Sequence, residues 1–423
     1  MWINYMFNVS KKSILDKSIR YWNPGKTMQW QNDGVDLVIG RREGYYLYDM
    51  EGKELMDVHL NGGTYNLGHR NPEIISELKS ALEQFDLGNH HFPSITRALL
   101  AEKLVECTPD NLKYTIFSSS GGEAIDVALK SARYATKRKK IVSIEYAYHG
   151  HTGLSVSLGN ERYSKPFLSE GSSEEFIQVP FNNVSVMESV LSAGDVACVI
   201  VETIPATYGF PLPKDGYLAA VKEMCERYGT LYIADEVQTG LSRTGKLWGF
   251  EHYGIKPDIL VTAKGLSGGI YPIGATVVNE AAGNWMNDDG FAHISTFGGS
   301  ELGCIVAMKV LEMSQRKEVL ENVDYVARYL RTGLERLKER YSDFFVGIRQ
   351  LGVVFGLEFD HPTGAKFVTQ TLYENGVWAI FSMLDNRVLQ FKPGLLLDKQ
   401  YCDELLARCE KSIKEAAQIA RYK

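Results

Sequence analysis

Asp235 and Lys264 are the residues whose type and placement first suggest chemistry. Each follows a short apolar run, Leu231 to Ala234 and Ile259 to Ala263, with the length and composition of a buried strand. Open α/β sheets place their ligands at the carboxyl ends of their strands. A carboxylate and an amine delivered there are either an ordinary ion pair or the working groups of a reaction, and these two residues alone do not decide which. A second stretch bears on the choice. Ser119-Ser120-Gly121-Gly122 lies between a strand and a helix. Its glycines permit close backbone approach, and the free N–H groups of the helix start suit a small anion. The stretch is neither a lysine-bearing nucleotide loop nor a dinucleotide GxGxxG turn. Taken alone, a serine cap with Glu123 close behind explains it as well.

The elements that must position these groups follow from the rest of the chain. At 423 residues it is long enough for two or more domains, and 44% apolar with 23% charged residues is the composition of a soluble globular protein. A net charge of -6 gives no electrostatic case for nucleic acid or an anionic membrane. The six cysteines have no zinc-site spacing, so no metal is expected, and reduced thiols point to the cytoplasm. Residues 1 to 10 resemble neither a signal peptide nor a spanning helix and read as an arm packed on the body or on a second subunit. Residues 1 to 34 read as irregular, with a turn at Asn23-Pro24-Gly25, before a small strand meander between Asp36 and Val58. From Tyr114 onward, apolar strands alternate with amphipathic helices through Gly274 to Val278, the rhythm of a mainly parallel sheet covered by helices. Beyond residues 305 to 320 the succession suits a separate α+β unit. The expected division is 1–60 as N-terminal segment and small-domain strands, 61–310 as the large domain, and 311–423 as the C-terminal small domain.

An aldehyde cofactor bearing a phosphate would use all these parts. Lys264 would form an imine with it, Asp235 would hold its ring nitrogen protonated, and the Gly121-Gly122 helix start would take the phosphate. Pyridoxal phosphate answers to this description, because its protonated pyridine draws in the electron pair of a carbanion. The run Asp235-Glu236-Val237-Gln238-Thr239-Gly240-Leu241-Ser242-Arg243-Thr244-Gly245, followed by Thr262-Ala263-Lys264-Gly265-Leu266, resembles class III aminotransferases of the ornithine and 4-aminobutyrate type. The resemblance runs in order from about Arg41 to near the C-terminus. It implies fold type I, an α/β large domain with a mainly parallel sheet and a smaller α+β domain formed by the chain termini.

The resemblance also implies roles. Lys264 is the Schiff-base lysine and proton carrier, and Asp235 pairs with the pyridine nitrogen. Val237 packs on the ring and Gln238 lies near its hydroxyl. Ser120-Gly121-Gly122 matches a serine-glycine-threonine phosphate loop, with Gly122 in place of a hydroxyl residue. Tyr148-His149-Gly150 matches an aromatic-His-Gly motif, which makes Tyr148 the stacking residue and His149 a neighbour of the ring. Glu202 positions the cofactor's surroundings, and Thr296 reaches the phosphate of the neighbouring subunit, which implies a homodimer. His69 reads as structural.

The implied activity is ping-pong transfer of an amino group from an amine or amino acid to a keto acid or aldehyde. An aminomutase or an amino-acid racemase/epimerase of the same fold is the alternative. The departures fall at the substrate end. Thr207 stands where many members have a glutamate, and Gln390, in Gln390-Phe391-Lys392-Pro393, stands where they have its arginine partner. Losing both together is coherent, since a lone buried charge costs roughly 3 to 5 kcal/mol. Gln390 retains a hydrogen bond for a carboxylate, Arg387 on an expected loop is a candidate cation, and Tyr148, Tyr208, Phe210 and Phe92 are expected to suit an apolar part of the substrate.

Overall fold

The computed structural model describes residues 9–422. Residues 1–8, which make up most of the expected N-terminal arm, lie outside the described residues. The segment read as irregular is helical over Lys11–Lys17, Ser18–Trp22 and Pro24–Asn32. Asn23 does not make a turn with Pro24. Its side chain accepts a hydrogen bond from the Lys26 amide at 2.9 Å while Pro24 occupies the first helical position, where its missing N–H costs nothing.

A meander of β1 (Ile39–Glu43), β2 (Tyr46–Asp49) and β3 (Glu54–Asp57) follows. The central sheet comprises β4 (Leu112–Ser118), β5 (Lys140–Ile144), β6 (Phe176–Val179), β7 (Val196–Glu202), β8 (Leu231–Asp235), β9 (Ile259–Thr262) and β10 (Gly274–Asn279), in the order β4-β10-β9-β8-β7-β5-β6. Pairings from β6 to β9 are parallel and only β10 runs antiparallel to its neighbours. All seven residues of β7 are buried, as a strand covered on both faces requires. A third sheet of β11 (Phe345–Leu351), β12 (Val354–Phe359), β14 (Ile380–Ser382) and β15 (Asp385–Phe391) forms near the C-terminus, and β13 (Val377–Trp378) pairs with β3 of the meander. The chain termini thus meet in a smaller α+β unit beside the large sheet, the fold type I arrangement. Among the described residues no helix is long and apolar enough to cross a membrane.

Candidate active site

β7 and β8 lie in register so that Glu202 is paired with Asp235, which brings two carboxylates side by side at the carboxyl end of the sheet. Each is handled differently. Asp235 accepts a hydrogen bond from His149 Nδ1 at 2.7 Å and from the Val237 amide at 3.1 Å. Glu202 accepts from the Tyr148 amide at 3.1 Å and the Ala206 amide at 3.4 Å. Burial pushes the Glu202 carboxyl up to about 7, with Asp235 pushing the same way and His149 opposing. Two adjacent acids are therefore divided by their partners, Asp235 with the imidazole and Glu202 with two backbone amides. Among the described residues, the buried Nε2 of His149 has no hydrogen-bond partner.

Lys264 follows β9 at the head of a one-turn helix, Lys264–Ser267. Its φ of 41° places it in the left-handed region, a strained conformation for a side chain with a Cβ. Ser267 Oγ holds the turn by donating to the Lys264 carbonyl at 2.6 Å. Burial pulls the Lys264 amine below its ordinary range, against the pull of Asp235 and Glu202, and this favours the neutral, nucleophilic form. Leu60, Asn61, Gly62 and Gly63 all have positive φ, and a Cβ at Gly62 would stand 3.0 Å from Lys264 Cε. The glycine-rich stretch therefore lies directly on the lysine stem, a role its irregularity alone does not disclose.

A cavity of about 180 Å³ is lined by Asp235, His149, Glu202, Gln238 and Lys264, together with Tyr148, Val237, Gly121 and Gly122. A second, of about 280 Å³, meets it at Lys264 and Gly121 and adds Ser119 and Ser120. At the helix start, Ser120 Oγ accepts from the Glu123 amide and the Ser120 carbonyl from the Ala124 amide, while the amides of Gly121 and Gly122 have no partner among the described residues. A Cβ at Gly121 would fill the space beside Ala263 and Val237, at 3.4 and 3.6 Å. One at Gly122 would come within 2.8 Å of Thr152 Oγ1. A side chain at 122 would therefore push the Thr152 hydroxyl off its 3.0 Å bond to Asp126. Two free amides, a bare backbone cradle, a buried carboxylate-imidazole pair and a buried amine are the donor set that a phosphorylated pyridine aldehyde needs. The residues present fit pyridoxal phosphate.

Several residues supporting the site are not visible as site residues in the sequence. Glu236 is buried and accepts from Thr203 Oγ1, Thr239 Oγ1 and the amides of Gly249 and Phe250, so it anchors the loop after β8 and does not face the cavity. Arg243, fully buried, donates to Asn66 Oδ1 and to the carbonyls of Val353 and Pro393, tying the stretch over Lys264 to the C-terminal unit. Lys392 is buried too and donates to Gln238 Oε1 at 3.2 Å and Gln390 Oε1 at 2.9 Å.

Among the substrate-side residues, the loop expected at Arg387 needs correction. Arg387 lies in β15 and not on a loop; its guanidinium is 3.3 Å from Glu358 Oε1 and its Nε donates to the Phe359 carbonyl. Gln390 is buried and its carbonyl oxygen accepts from Lys392, which leaves its amide N–H₂ as the donor end expected for a carboxylate. Phe210 is a core residue clustered with Ile204, Ala206 and Val354, and Phe92 is exposed. Tyr208 stacks on Tyr146 with ring centroids 4.8 Å apart, and neither lines the two cavities. Thr296 is exposed and lines neither cavity of its own chain. His69 is structural as expected: its Nε2 lies 2.8 Å from Asp57 Oδ2, with both side chains buried.

The model of the class-III aminotransferases matches residues 27–413. A protein of Archaeoglobus fulgidus described as an uncharacterized aminotransferase is 44% identical over 408 residues, covering 96% of this chain and 95% of its own. The putrescine aminotransferase of Pectobacterium atrosepticum is 32% identical over 410 residues, covering 94% and 85%. Among solved structures, the ornithine aminotransferase of Toxoplasma gondii superposes with a TM-score of 0.89 at 25% identity, over 100% of this chain and 98% of that one.

Proposed function

This chain belongs to the class-III aminotransferase family and is a pyridoxal-phosphate-dependent transaminase, and from that premise we propose how its own residues divide the reaction. When bound, the cofactor supplies an electron sink for the donor carbon and a carrier for the amino group. Lys264 would hold the cofactor through its aldehyde and would carry the proton taken from the donor carbon. Asp235, steadied by His149, keeps the ring nitrogen protonated. The amides of Gly121 and Gly122 and the Ser120 cap receive the phosphate, with Thr152 Oγ1 nearby. Tyr148 and Val237 would enclose its ring, Gln238 would stand near its hydroxyl, and Glu202 organises the Tyr148 loop by accepting from the Tyr148 amide. The observation that carries this reading is that the Asp235–His149 pair and Lys264 face one cavity without bonding to each other. No relative named above is an aminomutase or racemase.

For substrates, the reading is a primary aliphatic amine as donor, the class to which putrescine belongs, and a monocarboxylic acceptor. Thr207 and Gln390 are neutral, Gln390 is engaged by Lys392, and Arg387 is held by Glu358. Among the described residues, the positions of Thr207, Gln390 and Arg387 therefore offer a second carboxylate on the acceptor no free guanidinium. Steady-state kinetics with an amine donor should give pyruvate a kcat/KM about tenfold or more above that of 2-oxoglutarate. The reverse order for every donor tried would reject this assignment.

The working assembly is proposed to be a homodimer in the cytoplasm, divided at about residues 60 and 310. Phe92, Ile95, Phe291, Ile294 and Phe297 are all exposed, and His91 lies with its ring centroid 6.1 Å from that of Phe291, which brings the two segments together. An exposed apolar surface of this kind suits a second copy, and it adjoins Thr296. Six free cysteines suit a reducing compartment. Mixing Thr296→Ala chains with Lys264→Ala chains tests the shared site: hybrids should regain the native cofactor affinity at the Lys264-bearing site, because Thr296 comes from the other chain. Hybrids as weak as the Thr296→Ala parent would exclude the exchange.

A further inference from the structure

Lys392 is a second buried lysine at this site, and the division of the reaction above leaves it without a task. It follows directly on β15, and the backbone fixes it on both sides: its own amide donates to the Val58 carbonyl at 2.6 Å, and the next carbonyl, that of Pro393, accepts from Arg243 at 3.2 Å. The side chain therefore has no route to solvent and is 1% exposed. Among the described residues no carboxylate comes within ion-pair distance of its amine. Burying an amine without an acid partner is costly, so its contacts matter.

Those contacts are two side-chain carbonyls, Gln238 Oε1 and Gln390 Oε1, with the Phe210 ring centroid 5.5 Å away. A glutamine amide has an acceptor end and a donor end. A lysine amine that spends its N–H groups on both oxygens fixes which end of each glutamine it meets. Gln238 lines the cavity with Lys264 and Asp235. With its oxygen held from behind, its N–H₂ is the end left to face that cavity.

We propose that Lys392 is a positioning residue for the transamination site: by donating to Gln238 and Gln390 together, it turns the Gln238 amide nitrogen toward the cavity and holds it there. The inference rests on the reading of that cavity as the pyridoxal phosphate site. It also accounts for Gln390. Where an arginine would project its charge toward substrate, a neutral glutamine serves as the second anchor of an inward-facing lysine. The amine need not be charged to do this, since a neutral amine still has two N–H groups. Burial pulls Lys392 well below the ordinary lysine range, Arg243 and Lys264 add to that, and Asp57 and Glu202 oppose it.

A fixed N–H donor favours the deprotonated form of the group it faces, so its loss raises that group's pKa. The test is a spectroscopic pH titration of the visible band of the holoenzyme, with cofactor affinity measured in parallel. Lys392→Met should move the midpoint of the band upward by about half a unit or more, roughly a threefold change in proton affinity, and weaken cofactor binding by about three- to tenfold. Gln238→Leu should give the same shift, and adding Lys392→Met to Gln238→Leu should change the midpoint no further. A merely structural lysine would lower the melting temperature and leave the midpoint in place. An unmoved midpoint in Lys392→Met overturns the proposal. If that variant does not fold, an unmoved midpoint in Gln238→Leu overturns it. A native band that disappears in Lys264→Ala keeps the site assignment intact in either case, so failure of this inference is distinct from failure of that one.

Discussion

Replacing Lys264 by alanine lowers kcat by about 10,000-fold or more and removes the pH-dependent visible band of the holoenzyme. Two losses combine in this variant. The aldehyde carbon loses its covalent partner, and the donor carbon loses the group that takes and returns its proton. General acid–base transfer alone contributes about 100- to 10,000-fold. No other amine replaces it, because Lys392 has its N–H groups directed at two glutamine oxygens and does not line the cavity. The fold should survive. Lys264 has no hydrogen bond from its amine among the described residues, and removing a buried amine without a bonded partner is close to neutral for stability. Alanine inherits the left-handed backbone, so the strain at φ 41° persists unchanged. A melting temperature within a few degrees of native, together with lost turnover, separates chemistry from misfolding. Retention of more than about 1% of native kcat would place the proton carrier elsewhere.

Asp235→Asn should lower kcat by about 1,000-fold while the protein still retains cofactor. The amide keeps an oxygen for His149 Nδ1, which now lies 2.7 Å from Asp235 Oδ2, so the geometry is largely preserved and the charge is lost. Without that charge nothing on the chain would hold a proton on the cofactor's ring nitrogen, and the electron sink the cofactor supplies would be weakened. Glu202 does not compensate. It is raised to about 7 and directed at the amides of Tyr148 and Ala206. The measurement is single-turnover loss of donor against time for both proteins. A loss under tenfold would make Asp235 a structural partner of His149 and nothing more.

The strand-end residues were legible because a fully buried parallel strand is a continuous apolar run, and a charge at its end is conspicuous. Asp235, Lys264 and Glu202 all stand at or just past such ends. Lys392 was not legible by the same logic. It follows a strand that opens on Asp-Asn-Arg and carries Gln390 near its end, so a lysine before proline reads there as a surface residue, and only the tertiary contacts with Val58 and Arg243 show it turned inward. What a side chain at 122 would meet lies 30 residues away in Thr152, and what one at 62 would meet lies some 200 residues away in Lys264; spacing carries no trace of either. Asn23-Pro24-Gly25 satisfied the rules for a turn and for a helix start at once, and the Lys26 amide decided between them. β6, four residues at the sheet edge, is too short for its alternation to stand out. Arg387 reads as a candidate cation or a solvated surface arginine, because its acid partner, Glu358, sits on a neighbouring strand that spacing does not reveal.

The most direct test of the account is a half-reaction with purified holoenzyme. An amine donor is added without any keto acid, and carbonyl product is counted per site. A transaminase that keeps the amino group on its cofactor releases one equivalent and stops, with loss of the visible band. Pyruvate then restores the band and opens steady turnover. Continued turnover of the donor with no acceptor present, and with the band unchanged, would contradict the account.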